Sequence, residues 1–147
     1  MAQRTVEAEI ERVAKAAHAT AHVEAQNDGI RVDFMRQSRR VGVFRASQVG
    51  MPDWRVAMMP PDCFAAWSDL GQPPLWVVAS AEWFDESLQG RGFGARMYGV
   101  LLSVAVAHGG VLAPDRCIGG STSAAASRVW RKLYTMYPHY GPLLVGG

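Results

Sequence analysis

The sequence predicts an α/β (α+β) protein in which a mixed β-sheet is flanked by helices. Three observations predict this class. The chain begins with an amphipathic helical pattern that is followed by a hairpin pattern. Residues 73–84 form a run that is apolar on both faces, as in a central strand. Glycines at residues 90–94 then lead into a second helical pattern, which gives the strand, loop and helix order of an α/β unit.

The first half of the chain contains four predicted elements. Apolar residues recur at helical spacing over 6–21, and this helix should end near QNDG, 26–29, because Asn, Asp and Gly favour turns. The alternating patterns of GIRVDFMRQ and RRVGVFRAS predict an antiparallel hairpin. WRVAMM, at 54–59, suggests a further strand. Residues 60–71 have Pro at the entry and Gly at the exit, which predicts a short helix.

The second half contains the strand of residues 73–84 and three elements after it. The apolar stripe over 93–107 predicts a helix that ends at the following HGG. VLAPDRCIGG predicts a short strand interrupted by Pro114. STSAAASRVWRKLYTMY predicts a last helix, whose N-cap candidates are Ser121, Thr122 and Ser123.

Size and composition indicate one globular domain. The chain has 147 residues, of which 49% are hydrophobic and 19% are charged. These values suit a domain with a buried core, and we expect it to span residues 1–147. Fifteen Lys and Arg against thirteen Asp and Glu leave a formal net charge of +2, which is too small to require a nucleic-acid partner.

The two cysteines and the start of the chain bear on the compartment. Cys63 and Cys117 lie far apart in sequence, which predicts reduced thiols in a reducing compartment. MAQRTVEAEIERV is polar and contains acidic residues, unlike a secretory signal or a transit peptide. No apolar run approaches the roughly 18 residues of a membrane helix. We therefore expect a cytoplasmic monomer or homodimer that does not bind a membrane.

The glycines of the loop predict an anionic ligand. Gly90, Gly92 and Gly94 follow a predicted strand and begin a predicted helix. Unpaired amides at the positive end of a helix dipole bind phosphate oxygens, and glycine lets a ligand approach the backbone closely. The spacing does not match a dinucleotide fingerprint, and the Lys and Ser or Thr of a P-loop are missing. The alternative is a turn that only lets the helix pack closely on the sheet.

The loop and the last helix resemble one enzyme family. Gln89-Gly90-Arg91-Gly92-Phe93-Gly94 is similar to the (Gln/Arg)-x-x-Gly-x-(Gly/Ala) acyl-coenzyme A signature of the GCN5-related N-acetyltransferases. STSAAASRVWRKLY resembles the last conserved helix of that family, and together the matches cover roughly residues 75–134. The resemblance implies the fold of that family, with splayed central strands. It also implies transfer of an acetyl group from acetyl-coenzyme A to a primary amine of a small molecule or protein.

The resemblance also implies a set of cofactor contacts. Backbone amides from Gln89 to Gly94 would hold the pyrophosphate, with added charge from Arg91 and, less clearly, Arg96. The pantetheine arm would lie between the strand that ends at Trp83 and Phe84 and the segment VLAPDRC. An exposed amide near Phe84 would stabilise the thioester oxygen. The expected cofactor-binding residues are Trp83, Phe84, Gln89, Gly90, Arg91, Gly92, Phe93, Gly94, Ala95, Ser121, Ser123 and Trp130.

Two catalytic residues are expected, Glu82 and Tyr134. An alkylammonium acceptor has a pKa near 10, so a base or a water relay must first remove a proton, and Glu82 stands at the strand end. Asp85 and Glu86 are alternatives that otherwise read as solvated acids. Trp130 stands where many relatives carry a tyrosine, and its indole cannot act as an acid. Tyr134, one helical turn later, would protonate the leaving thiolate or would otherwise pack as a core aromatic.

The family's usual Asn before this helix is also missing, with Ser121 or Ser123 in its place. The acceptor stays open. Basic residues near the hairpin and on the last helix form either a surface for an acidic or nucleic-acid substrate or a solvated face. Two alternatives to the N-acetyltransferase therefore stand: an enzyme of the same fold that acts on nucleic acid, as an aminoacyl-tRNA-acylating toxin or a nucleobase modifier, and a non-catalytic acyl-coenzyme A-binding module.

The chain contains four histidines, His18, His22, His108 and His139. They have no metal-ligand spacing beyond one helical pair, so no metal is expected.

Overall fold

The computed structural model describes residues 2 to 136 as a mixed α/β protein. A five-stranded mixed sheet in the order β1-β2-β3-β4-β5 is flanked by helices, which confirms the predicted class. The elements are α1 Ala2–Ala16, β1 Thr20–Gln26, β2 Gly29–Arg36, β3 Arg39–Val49, α2 Asp53–Ala57, α3 Pro61–Asp69, β4 Leu75–Trp83, α4 Phe93–Ala107, β5 Val111–Leu112 and α5 Ala124–Met136. Short 3₁₀ turns cover Glu86–Leu88 and Asp115–Ile118.

The two neighbours of β4 pair with it very differently. Antiparallel β3 pairs along the whole of β4, with a bulge that leaves Ala79 without a partner. Parallel β5 pairs only at Leu75 and Trp76. A bulge bends the strand that contains it. Because β5 pairs with β4 only as far as Trp76, the edge of β4 that faces β5 is unpaired from Val77 onward in the described part of the chain.

An aromatic cluster fixes the end of β4 against the start of α4. The ring of Trp83 lies 4.9 Å from Phe34, 5.2 Å from Phe44 and 5.9 Å from Phe93, measured between centroids. Gly42 lies opposite Trp83 on β3, and a Cβ there would stand 2.5 Å from the indole. The sheet backbone and the first turn of α4 are thus held together on either side of the glycine loop.

The predicted N-terminal helix is confirmed as far as Ala16, but its predicted continuation towards residue 26 was wrong. The helix ends at Ala16, and His18 has a φ of 53°, which α-helix does not allow. Residues 20–26 form β1, an edge strand that is mostly exposed. Alanines supplied the helical pattern beyond Ala16, and alanine fits a helix or a strand face. QNDG contains the hairpin turn between β1 and β2 instead of a helix end.

The other element predictions had one further error. WRVAMM begins within helix α2, not a strand, because Pro52 and Asp53 start a helix and the apolar side chains do not enter a sheet. Trp54 is 61% exposed. The hairpin, the short helix of residues 60–71, the strand of 73–84, the helix of 93–107, the short strand and the last helix are confirmed.

The cysteine prediction was also wrong. Cys63 of α3 and Cys117 of the turn after β5 form a disulfide and are both fully buried. The two cysteines are 54 residues apart in sequence, but the fold brings their Cα atoms to within 5.7 Å of each other. The disulfide removes the support that free thiols gave to a cytoplasmic location. Among residues 2–136, every helix is too short or too polar to cross a membrane.

Candidate functional site

Two cavities lie between β4 and α5. The outer groove, of about 650 Å³, is formed by the end of β4, the glycine loop and one face of α5. The inner cavity, of about 250 Å³, lies further back along β4, beside Val78 and the first turn of α5. Neighbouring residues of α5 line the two cavities, Val129 the outer groove and Trp130 the inner cavity. Both cavities therefore lie beside β4 and α5.

The glycine loop presents free backbone amides to the outer groove. Among the described residues, the N–H groups from Gly90 to Ala95 have no hydrogen-bond acceptor, and the first helical bond runs from the Arg96 amide to the Gly92 carbonyl. Gly90 and Gly92 have φ values of 71° and 82°, which favour glycine. A Cβ at Gly90 or Gly94 would meet no atom within 4 Å. Close helix packing therefore does not explain these glycines.

The chain from Trp83 to the loop is held by its own polar side chains. Gln89 Nε2 donates to the Trp83 carbonyl at 2.9 Å, which ties the loop to the end of β4. Asp85 accepts from Ser87 Oγ and from the Ser87 amide, and it pairs with Arg36 at 2.9 Å. The Ser87 hydrogen bonds, with Arg36 and Arg39 nearby, hold the pKa of Asp85 below its ordinary value. Asp85 is thus a structural anchor and a poor candidate for a base.

Basic side chains of α5 line the outer groove opposite the loop. Arg128 and Lys132 stand one helical turn apart on this face, and neither has an ion-pair partner within residues 2–136. Lys132 Nζ would lie 3.9 Å from a Cβ at Gly92. The sequence analysis counted both residues only among general basic residues, although their i, i+4 spacing was the signal. Arg96 instead pairs with Glu9 of α1 at 3.1 Å.

Three predicted cofactor residues lie outside the two cavities. The Phe84 amide donates to the Val41 carbonyl at 2.9 Å, so this amide itself is not free to contact a thioester oxygen. Its side chain is 48% exposed. Phe93 is buried in the aromatic cluster, and Arg91 stacks on its ring at 5.0 Å. The other predicted residues line the outer groove (Trp83, Gln89, Gly90, Gly92, Gly94 and Ala95) or the inner cavity (Ser121, Ser123 and Trp130).

The inner cavity contains two titratable side chains that the sequence analysis did not assign to the site. Tyr98 of α4 is 8% exposed, and its ring packs edge-to-face on Trp130 at 5.4 Å. Asp115 follows β5, and burial raises the pKa of its carboxyl. Burial, and then the charge of Asp115, raise the pKa of Tyr98 to about 12. Ser123 Oγ caps α5 by accepting from the Ala126 amide at 3.1 Å.

The two expected catalytic residues have different surroundings. Glu82 is exposed, lines the outer groove and lies on the sheet face opposite to that of Trp83. Tyr134 is 40% exposed and lines neither cavity, although it follows Trp130 by one helical turn. The structure therefore brings Glu82, but not Tyr134, to the groove.

Comparisons of the chain with protein-family models, with curated proteins and with solved structures found no match. Over residues 2–136, no group of three or more His, Cys, Asp or Glu side chains is arranged to hold a metal ion. His139 lies outside the described residues.

Proposed function

We propose that this chain is an acyl-coenzyme A-dependent N-acyltransferase with the fold of the GCN5-related N-acetyltransferases. It transfers an acetyl group from acetyl-coenzyme A to a primary amine of a small molecule or protein. One observation carries the proposal: free amides at the start of α4 open into a groove that continues along the unpaired edge of β4. A diphosphate with a long amide-containing arm has the chemistry that such a groove can bind.

The diphosphate lies against the glycine loop in this proposal. The amides from Gly90 to Ala95 donate to its oxygens, and the dipole of α4 favours its negative charge. Arg128 and Lys132 provide charge from the other side of the groove. These contacts are the only part of the site in which main chain and cationic side chains converge within the described residues.

The pantetheine arm lies along β4. Its two amide groups replace the hydrogen bonds that β5 does not make beyond Trp76. Main-chain groups that lack a partner strand bind an extended ligand by strand addition. The bulge at Ala79 bends β4 beside this gap.

The acceptor amine attacks the thioester carbonyl, and the thiolate leaves. Glu82 is proposed as the base that takes the ammonium proton, because it is the acidic side chain that lines the outer groove among the described residues. A nucleic-acid acceptor is less favoured, since Arg36 and Arg39 pair with Asp85, which offsets part of their charge.

Calorimetry with acetyl-coenzyme A is the first test of this proposal. Binding in the micromolar range, followed by thiol release in the presence of a panel of amines, is the expected result. Binding without thiol release would favour a non-catalytic acyl-coenzyme A-binding module. Absence of binding would overturn the assignment of the loop.

A further inference from the structure

Two side chains of opposite charge lie close together on one face of the sheet. Glu82 of β4 stands opposite Val43 of β3, and Arg45 stands opposite Ser80. Side chains alternate between the two faces of a strand, so these four residues share the face opposite to that of Trp83, here called the Glu82 face. Arg45 and Glu82 are diagonal neighbours on adjacent strands, and such positions stand about 7 to 8 Å apart. A short ligand can therefore contact both side chains.

Neither of these two charges has a partner in the described part of the chain. Both side chains are exposed, and within residues 2–136 neither forms an ion pair or a hydrogen bond, with the other or with a third group. Arg31 and Arg40 differ, because they pair with Asp33 at 2.8 Å and 3.1 Å. The Glu82 face thus holds an unpaired cation, Arg45, beside an unpaired anion, Glu82.

The surroundings of Arg45 favour an anionic ligand. Arg31 of β2 stands directly opposite Arg45, and like charges in directly opposite positions destabilise a sheet. A cavity of about 410 Å³ opens beside the two arginines, and Ser47 also lines it. Glu24 lines the same cavity but stands opposite Arg31 on β1, so that β2 separates it from Arg45. An anionic group bound at Arg45 would reduce the repulsion between the two arginines.

We propose that the acceptor is a small amine with a carboxylate beside its amino group, as in a free amino acid. Its carboxylate binds the guanidinium group of Arg45, and its ammonium group lies at Glu82. This inference rests on the proposed function and names the acceptor class of that same site. A guanidinium group binds a carboxylate through two parallel hydrogen bonds, which fix the orientation of the ligand as well as its position. The amino group is thereby held at the side chain that lines the outer groove.

The reaction with such an acceptor balances in atoms and charge. Glu82 takes the first proton from the bound ammonium group. The amine nitrogen then forms a bond to the carbonyl carbon, the carbon–sulfur bond breaks, and its electron pair goes to the sulfur. The nitrogen loses a second proton as the amide forms. Of the two protons lost, one ends on the thiol and the other is released to the solvent.

This acceptor class selects the small-molecule branch of the proposed function. A lysine side chain in a protein has no carboxylate next to its amino group. At the N-terminus of a polypeptide, the carboxyl group next to the amine forms a peptide bond and has no charge. Neither kind of protein amine can therefore bridge Arg45 and Glu82 in the same way.

The first test compares free amino acids with their amides. Thiol release from acetyl-coenzyme A is measured with a panel of L-amino acids and with the corresponding amino acid amides, which lack the negative charge. For the amino acid that reacts fastest, we expect kcat/KM to exceed that of its amide by about 10- to 100-fold, the effect of a hydrogen bond to a charged group. Equal values for the acid and the amide, or turnover only of amines without a carboxylate, overturn the inference.

The second test removes the charge of Arg45. Arg45→Gln should raise the KM for the amino acid by about 10- to 100-fold and leave the rates with the amides unchanged, because only the contact with the carboxylate is lost. The matched control is Arg12→Gln, which removes the same charge from an exposed side chain of α1 and should keep the preference for the acid. A preference for the acid that persists in Arg45→Gln overturns the role of Arg45.

Calorimetry separates the failure of this inference from the failure of the proposed function. Wild type and Arg45→Gln should bind acetyl-coenzyme A with equal affinity, because Arg45 lines neither the outer groove nor the inner cavity. A wild type that binds acetyl-coenzyme A and releases thiol, but does not distinguish the acid from the amide, overturns the acceptor class alone. A wild type that does not bind acetyl-coenzyme A, or releases no thiol with any amine, overturns the proposed function and its acceptor together.

Discussion

The outer groove and the inner cavity offer different chemical groups to the ligand of the proposed function. The outer groove offers backbone amides of the glycine loop and the exposed cations Arg128 and Lys132. The inner cavity offers the phenol of the buried Tyr98 and the carboxyl of the half-buried Asp115. Main-chain donors suit a diphosphate that every acyl-coenzyme A carries, whereas side chains suit the reacting atoms. If the proposed function is right, substitutions at the glycine loop should change binding, and substitutions in the inner cavity should change the rate of the reaction.

The largest expected effect is the loss of acetyl-coenzyme A binding when the glycine loop is substituted. Gly92→Glu should abolish measurable binding of acetyl-coenzyme A, a loss of about 100-fold or more, because a carboxylate would face the diphosphate. The control is Gly71→Glu, since Gly71 also has a positive φ and open space around it. Calorimetry should show wild-type affinity for Gly71→Glu. Full affinity in Gly92→Glu would contradict the position of the diphosphate.

The next effect concerns chemistry at the rim of the groove. Glu82→Gln should lower kcat by about 100-fold while acetyl-coenzyme A affinity stays unchanged, because it removes the proposed base without changing the shape of the side chain. Glu86→Gln is the matched control, because Glu86 lies outside the groove lining. Steady-state rates with a saturating amine measure both variants. An unchanged kcat in Glu82→Gln would remove Glu82 from the mechanism.

A third effect reports on the inner cavity without any ligand. A tyrosine in the unfolded chain titrates near 10, whereas Tyr98 has a pKa of about 12. Between these values the unfolded chain releases a proton that the folded chain retains. Stability should therefore fall as the pH rises from about 10 to about 12, by up to about 1.4 kcal/mol per pH unit. Denaturant unfolding of Tyr98→Phe should lack this part of the slope, and Tyr134→Phe should keep it.

The smallest expected effect tests the basic side of the outer groove. Arg128→Ala and Lys132→Ala should each weaken acetyl-coenzyme A binding by about threefold to tenfold, because each removes an exposed cation. The loss should shrink as salt rises, since salt screens exposed charges. Arg131→Ala, on the same helix but outside the groove lining, should bind normally. Salt-independent losses would argue against a phosphate contact.

Local patterns made much of the outer groove predictable. The apolar run of β4, the glycines and the stripe of α4 are consecutive in sequence, and strand, loop and helix follow from periodicity and backbone freedom. Gln89 was also identified locally, although its bond to the Trp83 carbonyl was not. The same local reasoning failed at β1, where alanines fit the helical pattern as well as the strand that forms.

The inner cavity depends on contacts that the linear pattern does not contain. Asp115 and Tyr98 lie on different elements, and both line the inner cavity beyond the point at which β5 stops pairing with β4. Tyr98 follows the helical stripe of α4 and reads as a packing residue by spacing alone. Tyr134 lies one helical turn after Trp130, and this spacing predicts that both side chains face the same way. The side chain of Tyr134 is nevertheless exposed and lines neither cavity, so helical spacing alone did not predict which residues of α5 line them.

The Cys63–Cys117 disulfide makes a covalent ring out of the central part of the molecule. Within that ring lie β4, the glycine loop, α4 and β5, while α5 stays outside it. An oxidised chain therefore cannot extend these segments fully even when denatured, which lowers the entropy of its unfolded state. Opening the ring with a reductant would return that entropy to the unfolded chain, so the redox state of two buried sulfurs bears on the stability of the part of the fold that contains the candidate site.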